Sequence, residues 1–173
     1  MVCTALIAGI AVAGEFQQGL EAFNSEDYEQ AMVSWLPLAR AGDINAMYNV
    51  GLLYDEGLGV AVDKEAALNW YLVPAEEGDV SAQFNVAMIY DFGDGVPEDN
   101  EKALHWYTQA ARQADEQAQF NLAVMYATGE GVRVDMDEAI KWYKFSADLG
   151  HVPAQYNLAY IYDTGTAVPE DNQ

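Results

Sequence analysis

Cations are scarce in this sequence. Seven lysines and arginines stand against 28 aspartates and glutamates in 173 residues, a formal net charge of −21 at pH 7. With no basic footprint to displace counterions from phosphates, the composition argues against a nucleic-acid partner, and equally against docking on an anionic membrane surface. Cysteine is almost absent. Cys3 alone excludes an intramolecular disulfide framework, and with only His105 and His151 beside it it cannot by itself make a zinc site. No stretch alternates polar and apolar residues as a half-buried strand does. What is abundant is apolar: 51% of the residues are hydrophobic and 12% aromatic. That is a globular composition, and the length suits one domain with a real core.

Residues 1–13 carry no charged side chain and are too short a run to span a bilayer as a helix. They read as a secretory apolar segment closed by the small-x-small signal Ala11-Val12-Ala13, with cleavage before Gly14, although the usual lysine or arginine ahead of it is missing. The other readings are a buried helix of the fold and a reading frame opened too late. A signal peptide predicts an exported chain, periplasmic or secreted; otherwise a cytoplasmic one is expected. Cleavage would leave no cysteine at all.

The rest is periodic. Ala46, Ala82, Ala118 and Ala154 are each 36 residues apart, as are Asn49, Asn85, Asn121 and Asn157, then Tyr54, Tyr90, Tyr126 and Tyr162. Gly57, Gly93, Gly129 and Gly165 keep that spacing, and so do the pairs Trp70-Tyr71, Trp106-Tyr107 and Trp142-Tyr143. So many columns in register mark internal repeats. Within a unit, Ala46, Val50, Leu53 and Tyr54 make one apolar stripe at helical period. Gly57 and Gly59 end that helix. Asp63 is placed to N-cap the next one, its carboxylate accepting a backbone N–H at the positive end of the dipole. Ala67, Trp70, Tyr71 and Ala75 then face neighbouring helices, small residues lying opposite the large tryptophan. The recurring asparagines are expected to tie the backbone of adjacent helices. One hairpin cannot bury such a face, so the units must stack.

The run Ala82-Gln83-Phe84-Asn85-Val86-Ala87-Met88-Ile89-Tyr90-Asp91-Phe92-Gly93-Asp94-Gly95-Val96-Pro97-Glu98-Asp99, followed by Ala103-Leu104-His105-Trp106-Tyr107, resembles the Sel1-like repeat, a tetratricopeptide-like unit. The resemblance implies an all-α fold: a right-handed α/α solenoid of stacked helical hairpins, with repeats at 43–78, 79–114 and 115–150 and an incomplete one at 151–173. Residues 14–42 instead resemble a tetratricopeptide hairpin. Gly19 to Ala31 is 12 residues, whereas Gly51 to Ala67, Ala87 to Ala103 and Ala123 to Ala139 are each 16, so the later units carry four extra residues between their helices. Ala114 stands where the other boundaries have glycine, a cost of about 1 kcal/mol if that position is left-handed. Pro74 predicts a kink or an early end to its helix. Gly165-Thr166-Ala167 lacks the second loop glycine, and the sequence stops at Gln173 where a second helix should begin. The expectation is a fragment, or an end covered by another subunit.

No catalytic constellation emerges. G-x-S-x-G, H-E-x-x-H and phosphate-cradling loops are missing; the glycine pairs follow helices rather than strands and lack a lysine. The acidic loop Asp91–Asp99 does not match the calcium-loop spacing. His105 aligns with Asn69 and Lys141, a solvated helix position, and His151 aligns with Asp43, Asp79 and Asp115 at a helix start. No catalytic residue, cofactor or metal is expected, and what remains is a surface. The resemblance to tetratricopeptide solenoids places the first helices on a concave side lined by Tyr48, Leu52 and Asp55, then Phe84, Met88 and Asp91, then Phe120 and Val124, then Tyr156, Tyr160 and Asp163. The column Tyr48, Phe84, Phe120 and Tyr156 equally suits packing between units. Leu52, Met88, Val124 and Tyr160 vary and are the better contact candidates. The expected role is a non-enzymatic scaffold or adaptor that binds a protein or peptide with a basic segment, in salt-sensitive fashion. One alternative is end-to-end self-assembly through the open last unit. The other is a hydrolase such as the β-lactam-binding cysteine-rich relatives, whose paired cysteines are absent here.

Overall fold

The structure, a computed structural model, describes residues 14–164. The expected signal peptide at 1–13 and the stretch containing Gly165-Thr166-Ala167 lie outside the described residues. Among the described residues there are nine helices and no strand: α1 over 14–24, then α2 (Tyr28–Arg40), α3 (Ile44–Glu56), α4 (Lys64–Glu76), α5 (Val80–Phe92), α6 (Asn100–Arg112), α7 (Glu116–Thr128), α8 (Met136–Asp148) and α9 (Val152–Thr164).

From α2 onward every helix is 13 residues long, because the same punctuation recurs. Asp27, Asp43, Asp63, Asp79, Asp99, Asp115 and Asp135 each accept a hydrogen bond from the backbone N–H three residues on, at 2.7–3.2 Å. Each such cap contributes about 1 kcal/mol. The second helices end in Schellman turns. At the first, the Gly42 N–H donates to the Ala39 carbonyl and the Asp43 N–H to the Leu38 carbonyl, both at 3.0 Å. Gly42, Gly78 and Gly150 hold the left-handed position with φ of 97°, 98° and 98°, and Ala114 holds it with φ 65°. The aspartate whose N–H closes each turn is the one whose carboxylate caps the following helix. Before α9 that place falls to His151. Its N–H bonds the Ser146 carbonyl at 3.1 Å, while Nδ1 is buried without a hydrogen-bond partner among the described residues.

Residues 25–27 join α1 to α2, whereas seven-residue loops join α3 to α4, α5 to α6 and α7 to α8. The first glycine of the loop is the left-handed helix end, as at Gly57 (φ 69°) and Gly129 (φ 88°). The second has a different task. A Cβ on Gly131 would collide with the Asn100 carbonyl oxygen, and one on Gly59 would lie 2.7 Å from the Glu29 nitrogen. Only glycine lets the loop rest on the first turn of an earlier second helix.

Packing divides the chain into two compact units, one running to Ala82 and including Asp94–Val96, the other formed by Gln83–Gly93 and the residues from Pro97 onward. In the first, α2 packs on α3 and α3 on α4 around Ala31, Trp35, Leu38, Ala46, Val50 and Leu53. In the second, α6, α7, α8 and α9 pack in succession, with a core of Ala123, Ala139, Tyr143, Ala154 and Ile161.

Two expectations are corrected. The small residue on the first helix faces the tyrosine of the Trp-Tyr pair, not the tryptophan. A Cβ on Gly51 would lie 2.7 Å from the Tyr71 ring, and one on Gly19 would collide with Trp35, which occupies the tyrosine column in α2. Tyr71 and Tyr107 are fully buried while Trp70, Trp106 and Trp142 are half-buried. Nor does α4 end early at Pro74; it runs on to Glu76. The ring forfeits only the bond to the Trp70 carbonyl, and the Pro74 carbonyl still closes the Schellman turn with the Asp79 N–H at 2.9 Å.

Candidate interaction surface on the first helices

In the first unit, α3 carries Tyr48, Leu52 and Asp55 on successive turns, all half-buried. The Tyr48 ring lies 5.4 Å from that of Tyr71, whose hydroxyl donates to Asp55 at 3.3 Å. Lys64 Nζ pairs with the same carboxylate at 2.7 Å. That hydrogen bond raises the Lys64 pKa against the opposing effect of desolvation.

In the second unit, α5 repeats the arrangement. Phe84 lies 5.9 Å from the Tyr107 ring, and the Tyr107 hydroxyl donates to Asp91 at 3.0 Å. Burial, and then the Asp91 charge, push the Tyr107 pKa far above the usual phenol range, so it stays a neutral donor. Burial also raises the Asp91 pKa, the hydrogen bond from Tyr107 opposing it. On α7, Phe120 lies 5.7 Å from the Tyr143 ring. Ala127 stands where α3 and α5 have aspartate, and the Tyr143 hydroxyl accepts instead from the Asn157 amide at 3.2 Å.

Two of the recurring asparagines, Asn121 and Asn157, therefore tie a side chain rather than the backbone expected above. Asn121 reaches the Tyr107 hydroxyl and Met88 Sδ, the latter at 3.9 Å, as Asn157 reaches Tyr143. Mid-helix backbone groups already have intrahelical partners, whereas a buried phenol oxygen needs one. Sequence reasoning also overlooked the column Gln83, Gln119 and Gln155, although its 36-residue spacing was there to read. Gln119 donates to the Ala111 carbonyl and Gln155 to the Ala147 carbonyl, each at 3.1 Å, adding a second donor to last-turn carbonyls that also accept the Ala114 and Gly150 N–H groups of the turns.

On α3, α5 and α7 the aromatic column thus packs on tyrosines of the following helix, and Asp55 and Asp91 are engaged by their hydroxyls. Leu52, Met88 and Val124 remain half-buried between them. On α9 the same positions are open: Tyr156 is 70% and Tyr160 58% exposed, and with Ala159 and the exposed Asp163 they line a shallow cleft of about 430 Å³. Three of the seven cations, Lys64, Lys102 and Lys141, are paired with Asp55, Asp99 and Glu138, which leaves the strongly acidic balance little offset. Among the described residues, no group of three or more His, Cys, Asp or Glu is placed to hold a metal ion, and no helix is long and apolar enough to cross a membrane.

The Sel1 repeat family model matches residues 44–79, 80–115, 116–151 and 152–173. Among solved structures, a Sel1 repeat protein from Oxalobacter formigenes is 33% identical over 91% of this chain, with a TM-score of 0.81. A protective antigen present in uropathogenic Escherichia coli strains, displaying an SLR fold, is 30% identical over 92% of this chain, with a TM-score of 0.58. The chain spans 62% of the first protein and 43% of the second. Helicobacter pylori cysteine rich protein B, at 18% identity and a TM-score of 0.60 over 76% of this chain and 95% of its own, shares the fold. No curated protein matches the sequence significantly. The α/α solenoid of stacked hairpins expected from the repeats is the fold class of these neighbours.

Proposed function

The chain belongs to the Sel1 repeat family, whose fold commonly mediates protein–protein interaction, and from that premise we propose that it is a non-enzymatic scaffold binding a protein or peptide along its first helices. The observation that carries the reading is the column Met88, Val124 and Tyr160 of the second unit, with Leu52 at the same register position in the first: apolar side chains half-buried or exposed, beside aromatic and acidic columns largely engaged internally. Such residues can bury apolar area in a partner without dismantling the hairpins. The net charge of −21 supports a partner with a basic segment and an association that weakens as salt rises. Export to the periplasm or beyond belongs to the same reading and is supported by the uncharged residues 1–13 alone.

Capture from an envelope extract, comparing the full chain with a Met88→Ala, Val124→Ala variant of matched helicity, tests the reading. A protein held by the first and lost by the second, with binding weakened in high salt, is the expected result. Equal retention by both would refute the column, and salt-independent retention would refute the basic segment.

A further inference from the structure

The hairpins share one polar arrangement, and the hairpin of α7 and α8 keeps only part of it. On α4, Tyr71 donates its hydroxyl proton to Asp55 at 3.3 Å, and Lys64 holds the same carboxylate at 2.7 Å. On α6, Tyr107 donates to Asp91 at 3.0 Å and is reached by the Asn121 amide of the next first helix. At the same register positions α7 and α8 carry Tyr143, with Ala127 in place of the aspartate and Met136 in place of Lys64. Tyr143 is 4% exposed. Its oxygen accepts from the Asn157 amide at 3.2 Å, but its proton finds no acceptor among the described residues. The end of the sequence is not the cause. Tyr107 draws its partners from its own hairpin and the following first helix, and Tyr143 has the counterparts of both, α7 and α9. The acceptor is lacking because residue 127 is alanine.

A buried donor without an acceptor costs free energy. The position that would supply one borders solvent, since the Asp55 side chain in the same register is 14% exposed. Alanine, shorter by a carboxyl group, leaves that place to an incoming acceptor. The surroundings select its charge. Ala127, Met136 and Val124, one turn earlier on α7, are half-buried and pack on the core that holds Tyr143. Where Lys64 pairs with the acid of its hairpin, Met136 offers only a thioether. Nothing there offsets the desolvation of an anion, and the net charge of −21 repels one. A neutral carbonyl needs no such compensation.

We propose that the Tyr143 hydroxyl anchors a main-chain carbonyl of a partner peptide, donating its proton to that oxygen beside Ala127 while the apolar part of the peptide unit lies on Val124 and Met136. The segment is extended there, because carbonyls within a helix are already engaged. Ala127 is what singles this hairpin out, since Tyr71 and Tyr107 give the same proton to Asp55 and Asp91. This inference rests on the interaction reading above and names the group of the partner that is recognised.

The test uses the full chain labelled with carbon-13 at tyrosine Cζ, whose resonance responds to hydrogen bonding at the hydroxyl. The Tyr143 signal is identified by its loss in Tyr143→Phe. The probe is N-methylacetamide, a single peptide bond, with acetate as the anionic control and acetamide standing for a side-chain amide. N-Methylacetamide should move the Tyr143 signal saturably and leave that of Tyr107 in place, and the other two should reach half their effect only at higher concentration. In Ala127→Asp the signal should start closer to that of Tyr107 and no longer respond, with circular dichroism checking that both variants fold. No saturable shift in the unaltered chain would mean that solvent satisfies the phenol and would overturn the proposal. Tighter binding of acetate or of acetamide, or an undiminished response in Ala127→Asp, would do so as well. Capture through Met88 and Val124 is read separately, so the carbonyl anchor can fail while the interaction reading stands.

Discussion

Replacing Ala114 by glycine should stabilise the chain. Ala114 sits at φ 65°, whereas its counterparts Gly42, Gly78 and Gly150 lie at 97–98°. The alanine has been drawn into the narrow left-handed basin open to residues with a Cβ, some 30° from where glycine relaxes. The turn shows the effect. The N–H closing it is 3.3 Å from its carbonyl at Asp115–Ala110, against 3.0 Å at Asp43–Leu38, 2.9 Å at Asp79–Pro74 and 3.1 Å at His151–Ser146. Left-handed strain in a non-glycine residue is about 1–2 kcal/mol, and the greater unfolded-state freedom of glycine returns about 0.4–1 of it. The net gain should be about 0.5–1 kcal/mol. Urea unfolding followed by circular dichroism would show it as a higher midpoint at unchanged slope. Gly78→Ala, the converse change, should lower the midpoint by a similar amount. A midpoint for Ala114→Gly equal to or below that of the unaltered chain, with Gly78→Ala destabilising, would refute the strain argument.

His151→Asp should restore the cap that the other repeats have and raise stability by about 1 kcal/mol, read as a melting temperature about 2–4 °C higher for a chain of this size; no rise would mean α9 is already capped. Gly131→Ala and Gly150→Ala separate two kinds of glycine. The first combines φ 66° with a collision at Asn100 and the second has φ 98° with open space around it, so the first should cost more than about 2 kcal/mol and the second about 1. Equal midpoints for the two would refute the close-approach role of the loop glycine. For Asp91, burial raises the folded pKa above the unfolded one, so the native state holds its proton longer and stability falls as pH rises from the ordinary carboxylate value through the raised one. Asp91→Asn, which keeps an oxygen acceptor for Tyr107, should therefore be the more stable chain at pH 7 and lose that advantage below about pH 4; paired melts across pH would expose a wrong sign.

The helices were legible because their ends are spelled out. An aspartate at the start of α2 to α8 and a glycine at most turns are local signals, and 36-residue recurrence repeated them until no other register was possible. Partner choice inside the hairpins was not local. Trp70 and Tyr71 are adjacent on one helix, about 100° apart around it, so deciding which is buried requires the axis of the helix opposite. Asp55 and Asp91 read as a free acidic edge because the hydroxyls that engage them lie 16 residues later. The asparagine and glutamine columns were visible as spacing, but their partners, a phenol oxygen and a last-turn carbonyl, belong to the preceding hairpin. On α9 the exposed Tyr156 and Tyr160 follow from the absence, among the described residues, of a tyrosine such as the one facing Tyr48.

The aspartate that closes one helix and caps the next leaves its joint with no length to spare. A residue inserted between Gly78 and Asp79 would break the turn that ends α4 and shift the carboxylate off α5, so two helices would loosen for one extra amino acid. The seven-residue loops are scarcely freer, since Gly59, Gly95 and Gly131 each rest against an earlier second helix. Length can therefore change cheaply only by the addition or loss of a whole period. Natural variation in this lineage should come in steps of 36 residues, a ladder of duplications rather than a scatter of small insertions.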